Sequence, residues 1–200
     1  MGRAAVDIAT ARGHAVTAVA RSADALGATS ATALAGSVLD PQLVGRALAE
    51  AEAVLVALGT APATPRGDTQ REICSLGTRV ILDAMRARGL RRVVVVSSYG
   101  VGPTRERRPF PFNLIAATLL KDVMADKDVQ EAEVRASETD WTIAQPLGLT
   151  DAPATGSPYV STDGTHRVTR VSRADVAAVC LDAIDTGRYL RETVAISANR

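Results

Sequence analysis

Residues 92–98 read Arg-Val-Val-Val-Val-Ser-Ser (RVVVVSS), and the fold of this chain turns on them. Four consecutive valines fit a central strand buried on both faces, as parallel sheets require. Working outward, residues 53–58 (AVLVAL) form a second apolar strand closed by Gly59-Thr60, and residues 15–20 (AVTAVA) a third that ends at Arg21-Ser22. A weaker strand is expected near 33–38, and further strands at 141–144 (WTIA) and 193–196. Helical patterns fill the intervals. Residues 3–12 place Ala4, Ala5, Ile8 and Ala11 on one face before a stop at Gly13. Asp40-Pro41 opens a helix to about residue 50 as N-cap and first-turn proline. A short helix at 23–26 and long ones over 68–88 and 113–137 follow from the same spacing. Ser172, with Asp175 three residues on, caps a last helix, and residues 158–171 read as a hairpin turning at Asp163-Gly164. Alternating strand and helix define an α/β fold, here one domain over 1–200.

Composition narrows the functional classes. The 200 residues carry 23 basic and 22 acidic side chains, a balance that argues against a nucleic-acid-binding surface. No apolar run reaches the roughly 18–20 residues of a membrane span, and no signal segment opens the chain, so a cytoplasmic location is expected. Cys74 and Cys180 have no His or Cys neighbours at metal-ligand spacing and read as small buried apolar residues. His14 and His166 have no partners at catalytic spacing. Lys127 and Glu131 read as solvated groups on a helix face.

In an open parallel sheet, ligands bind beyond the carboxyl ends of the strands. Five such ends carry polar or small residues here: Arg21-Ser22, Gly36-Ser37-Val38, Leu58-Gly59-Thr60, Ser97-Ser98 and the run 145–148 (QPLG). An acidic residue after the second strand of a dinucleotide fold accepts from a ribose 2′-OH, whereas an arginine suits a 2′-phosphate. Arg21 stands at that place. The loop 103–110 (PTRERRPF) could draw an anionic substrate.

The order of these pieces resembles the atypical short-chain dehydrogenase/reductase group with an NAD(P)H-binding domain, of the flavin reductase/biliverdin-IXβ reductase type. The resemblance rests on GHAVTAVAR (13–21), GSVLD (36–40), AVLVALGT (53–60), RVVVVSS (92–98), VRAS (134–137), DWTIAQP (140–146) and VSRADVAAVCLDAI (171–184). It implies a Rossmann-like doubly wound parallel sheet that binds NADPH in preference to NADH. By the same resemblance, Arg21 and Ser22 contact the 2′-phosphate, Ser37 and Val38 flank the adenine, and Leu58, Gly59 and Thr60 line the ribose and pyrophosphate. Ser97 and Ser98 stand beside the nicotinamide with Pro146 packed near it, and Ser98 orients the reacting groups. The partner is then a small planar acceptor, a flavin or tetrapyrrole. An NmrA-like redox sensor that binds NAD(P) without turnover, and a remnant that binds none, are the rival readings.

The chain departs from that pattern in two places. Gly2 matches the last glycine of the phosphate turn, so the first, central strand and the two earlier glycines are missing. Either a start codon assigned too far downstream or a truncated product would account for this. The loss should expose strand edges. The Tyr-x-x-x-Lys pair is also absent, since Pro103 stands four residues after Tyr99.

Overall fold

A computed structural model describes residues 1–22, 30–59, 72–108 and 120–200. Five helices are described: α1 (Gly2–Ala11), α2 (Pro41–Ala47), α3 (Ile73–Arg88), α4 (Lys121–Ala136) and α5 (Arg173–Thr186). The strands are β1 (Thr17–Ala20), β2 (Thr32–Ala35), β3 (Ala53–Val56), β4 (Arg92–Val96), β5 (Asp140–Pro146), β6 (Gly148–Thr150), β7 (Tyr159–Ser161), β8 (Arg170–Ser172) and β9 (Glu192–Ser197). The expected helix at 23–26, the 61–67 loop, the first turn of the 68–88 helix and the 113–119 stretch lie outside the described residues.

The main sheet has the order β3-β4-β5-β9-β7, parallel except for β7, which runs antiparallel to β9. The valine strand sits where its composition requires. Val93, Val94 and Val95 of β4 are 0% exposed between β3 and β5, with helices on both faces. On one face Val93 and Val95 join Ile81 and Met85 of α3 and Val134 of α4; on the other, Val94 and Val96 join Val176 and Cys180 of α5. Both cysteines are buried and free, and burial pushes the Cys180 thiol up to about 12.

The parallel strands do not form one continuous ladder. β1 pairs only with β2, in a separate two-stranded sheet, and among the described residues no ladder joins β1 to β3. The break matches the strand edges that the sequence leads one to expect. Ala53, Val54 and Leu55 of β3 are only half-buried although as apolar as the β4 residues beside them. Helix α1 begins at the carboxyl end of β3, where a Cβ on Gly2 would lie 3.9 Å from that of Ala57.

Caps and stops follow local chemistry. Asp40 accepts a hydrogen bond from the Gln42 amide (2.9 Å) to start α2, and the Ser172 hydroxyl accepts from the Asp175 amide (3.0 Å) to start α5. Gly89 ends α3 in the left-handed conformation at φ 67°. The predicted hairpin over 158–171 does not form. β7 pairs with β9, whereas β8 pairs in parallel with β6. Asp163 does turn the chain, its carboxylate accepting from the Thr165 amide and hydroxyl at 3.0 and 2.8 Å. Beyond that turn, residues 164–167 pack against the segment after β4 and the β9 end, which separates the two strands.

Helix α3 gains its N-terminal cap from another helix. Glu72 gives no side-chain cap; instead Asp126 of α4, buried, accepts from the Cys74 and Ser75 amides at 2.8 and 2.9 Å. A carboxylate there satisfies two orphan donors and faces the positive end of the helix dipole. Asp126→Ala should therefore cost about 2–4 kcal/mol. Urea unfolding would check this; a loss under about 1 kcal/mol would show that the cap is dispensable.

Candidate dinucleotide site

The carboxyl ends of β3 and β4 converge on one polar centre. Lys127 of α4 donates from Nζ to the Val96 carbonyl (3.2 Å) and the Leu58 carbonyl (3.4 Å). It is 7% exposed, so its reading as a solvated group is corrected. Desolvation holds its pKa below the usual lysine value, with Cys74, Asp126 and Glu131 opposing the shift. Cys74 lies alongside, its thiol donating to the Leu58 carbonyl (3.6 Å), and burial pushes it up to about 11.

Glu131 is likewise interior, at 0% exposure, and its reading as a surface group is corrected too. Oε1 accepts from Gln145 Nε2 (2.8 Å) and Oε2 from Arg135 Nη2 (2.6 Å). Gln145 also donates to the Val101 carbonyl (2.9 Å) and accepts from the Thr104 hydroxyl (2.7 Å). Thr104 in turn accepts from the Gly100 amide (2.8 Å). This chain of bonds fastens the 3-10 helix Gly102–Arg107, just beyond β4, onto β5. Sequence periodicity missed these residues because charge signals exterior. The available signal was spacing: Met124, Lys127, Glu131 and Val134 fall on one stripe, and its two ends are buried apolar residues.

The sequence-predicted residues divide into three groups. Ser97, Ser98 and Pro146 come together: Ser97 and Pro146 are buried at adjacent strand ends, and the Tyr99 amide donates to the Pro146 carbonyl (3.0 Å). Among the described residues the buried Ser97 hydroxyl has no hydrogen-bond partner, while Ser98 Oγ, half-buried, donates weakly to the Tyr99 carbonyl (3.4 Å). Leu58 and Gly59 stand at the neighbouring end of β3, and among the described residues a Cβ on Gly59 would meet nothing within 4 Å. Gly2 faces the same edge through Ala57.

Arg21 and Ser22 form a second, exposed group at the end of β1. Ser37 and Val38 follow β2, where Ser37 Oγ accepts from the Leu39 amide (3.2 Å). The side chains of Val38 and Leu58 are committed to packing: a Cβ on Gly77 of α3 would lie 2.8 and 2.7 Å from them. Thr60 lies outside the described residues. The arginines of the 103–110 loop are partly spent within the chain, Arg105 on Asp128 and Arg108 on the Gly100 carbonyl (2.7 Å).

One pair escaped sequence reading altogether. Tyr99, 2% exposed, donates its hydroxyl to the Gly164 carbonyl (2.9 Å), and His166 Nδ1 lies 3.1 Å from the Tyr99 hydroxyl oxygen. The rings meet edge to face with centroids 5.0 Å apart. His166 therefore has a partner 67 residues away, where the sequence suggested none. His14 also finds one, Asp185, at 3.1 Å.

A mainly parallel α/β sheet with glycine, serine and lysine gathered at adjacent strand ends defines a Rossmann-like nucleotide-binding protein. The chain belongs to the NAD(P)H-binding family, which matches residues 1–187. An uncharacterized chloroplastic protein of Arabidopsis thaliana is 27% identical over 140 residues, 68% of this chain and 48% of that protein. The chain thus spans about half the length of that curated relative. ChuY, an anaerobillin reductase of Escherichia coli O157:H7, superposes with TM-score 0.79 at 22% identity, covering 100% of this chain and 93% of that one. A wide-type short-chain dehydrogenase/reductase of Veillonella parvula, solved with NADP, gives TM-score 0.70 at 18% identity over 87% of this chain and 75% of its own. Both share the fold. Among the described residues no helix is long and apolar enough to cross a membrane, and no three His, Cys, Asp or Glu side chains gather as a metal site.

Proposed function

We propose that the chain is an NADPH-dependent oxidoreductase that reduces a small planar acceptor, a flavin or tetrapyrrole, in the cytoplasm. The observation that carries the reading is the buried hydroxyl of Ser97, without a hydrogen-bond partner among the described residues, next in the chain to Val96, whose carbonyl accepts from the buried ammonium of Lys127. A buried hydroxyl without a partner is disfavoured by about 1–3 kcal/mol unless a ligand or a water satisfies it. The ammonium has three donors and, among the described residues, spends two on backbone carbonyls. Those groups fit the polar end of a nicotinamide nucleotide. When bound, the reduced nicotinamide supplies a hydride.

In this reading Ser97 and Lys127 hold the nicotinamide half, Pro146 packs against it, and Ser98 orients the acceptor by hydrogen bonding. Gly59 leaves room for ribose and phosphate at the end of β3. The backbone amides of α1, which has no side-chain cap at its start, face the pyrophosphate. Arg21 with Ser22 takes the 2′-phosphate, and Ser37 with Val38 borders the adenine.

Fluorescence titration with NADPH and steady-state reduction of FMN test the reading. Micromolar binding with turnover supports it; tight binding without turnover on any flavin or quinone favours a sensor instead. Arg21→Ala should weaken NADPH about 10–100-fold, the share of one charge-assisted phosphate contact, and leave NADH almost unchanged. Equal losses for the two cofactors would remove Arg21 from the 2′-phosphate.

A further inference from the structure

We propose that His166 is the proton donor for the reaction, held in one tautomer by Tyr99. The inference rests on the oxidoreductase reading above and adds to it a residue remote in sequence. The number of hydrogens fixes the tautomer. A tyrosine hydroxyl has one, and the Gly164 carbonyl, which can only accept, lies 2.9 Å from the Tyr99 oxygen. If that hydrogen pointed to His166 instead, two oxygens would face each other at 2.9 Å with none between them. The Arg107 carbonyl, at 3.4 Å, is a second acceptor that also cannot donate, so the hydrogen belongs to the carbonyl side, and the 3.1 Å contact assigns the proton to Nδ1 of His166.

Two consequences follow. In the neutral ring the bare lone pair is on Nε2, for which the described residues provide no hydrogen bond. Protonation adds a hydrogen at Nε2 without disturbing the Tyr99 contact, so the ring keeps one orientation in both states. A base fixed through its far nitrogen is the arrangement that acid–base catalysis needs.

The surroundings hold this geometry in place. Gly164 has φ 76°, and a Cβ there would lie 3.2 Å from Thr104 Cγ2 and 3.4 Å from Arg107 Cδ, so the turn sits tight on the 3-10 helix. The Tyr99 ring packs with Leu147 and Ala195. Tyr99 directly follows Ser98, so the histidine is tied to the strand ends where Ser97 and Ser98 stand. The charged groups around the pair are Arg107 from the 3-10 helix, Asp163 on the same turn, and Arg167 next in the chain, whose guanidinium covers the Tyr159 ring at 4.9 Å. Asp163 is held ionised by the Thr165 amide and hydroxyl, and burial raises the Tyr99 hydroxyl above its ordinary value.

The step balances simply. The acceptor gains a hydride, two electrons with one hydrogen, from the reduced nicotinamide. Nε2–H of the imidazolium gives a proton to the heteroatom on which negative charge develops, and solvent returns it to the ring.

His166→Asn is the discriminating variant, because its amide N–H can still donate to Tyr99 but cannot titrate. With whichever of FMN and biliverdin the wild type reduces, kcat should fall as pH rises through the histidine range. In H166N, kcat should drop about 100-fold at pH 6, with that limb gone and the Kd for NADPH unchanged. Nitrogen-15 NMR of the wild-type imidazole should show the proton on Nδ1 and titration at Nε2, and Tyr99→Phe should mix the tautomers. A limb that persists in H166N, or an Nε2–H tautomer, overturns the role of His166 alone. A wild type that reduces neither acceptor overturns the oxidoreductase reading and this role with it.

Discussion

Glu131→Ala should destabilise the chain by about 3–5 kcal/mol, the range for removing one partner from a buried charged network. Glu131 is fully enclosed, and its two oxygens are the acceptors for Gln145 Nε2 and Arg135 Nη2. Deleting it leaves an interior amide donor short of a partner and a half-buried guanidinium with, among the described residues, the Thr193 hydroxyl alone at 3.2 Å. A Cβ on Gly102 would approach Glu131 Oε2 to 2.9 Å, so the carboxylate also supports the backbone of the 3-10 helix. The damage should reach Tyr99 and His166, because Thr104 and Gln145 anchor that segment. Glu131→Gln, isosteric but uncharged, should lose about half as much, since charge-assisted hydrogen bonds are roughly twice as strong as neutral ones. Chemical denaturation of the three proteins checks the series; equal stability of E131A and wild type would mean that water replaces the network.

Lys127→Met should lower NADPH-dependent turnover at least 100-fold while the chain stays folded, because it keeps the aliphatic stem and deletes the ammonium. It should also remove a pH dependence of stability. Burial depresses the pKa of Lys127 in the folded state, whereas the unfolded chain has the ordinary value of about 10.4. Between those two values the unfolded state binds the extra proton, so wild-type stability rises with pH across that window. At lower pH the folded state bears the full desolvation penalty. In K127M that rise should vanish, and urea midpoints at neutral and alkaline pH would show it. An identical rise in both proteins would place another group at its origin.

Much of the architecture was legible before any coordinates. RVVVVSS is buried on both faces because β-branched residues without polar alternation suit only an interior strand, and β4 is one. Asp40-Pro41 and Ser172 with Asp175 start helices as read, because capping is a contact between near neighbours in sequence. The 158–171 hairpin failed for the converse reason. Asp163-Gly164 makes its turn, but which strand each arm joins depends on β9 and β6, which local spacing does not encode.

The site divides along the same line. Ser97, Ser98, Pro146, Leu58 and Gly59 were legible because strand ends are read from strands, and parallel topology brings those ends to one edge. Lys127 and Glu131 were misread because a charged residue on a helix is ordinarily solvated. Here the Leu58 and Val96 carbonyls and Gln145 supply partners from three other segments, and Arg135 one from a turn further along the same helix. Asp126, Gln130 and Glu131 show the same thing along α4: the inner face of this helix is polar because each group meets a donor or acceptor elsewhere.

By itself, the sequence determined the class of fold and which residues close its strands. These depend on backbone preference and burial, which act over a few residues. Only the tertiary structure decided that a lysine and a glutamate belong to the interior, and that Tyr99 and His166 meet 3.1 Å apart. Desolvating a charge or fixing a tautomer requires partners at a set distance, and that distance exists only once remote segments have packed.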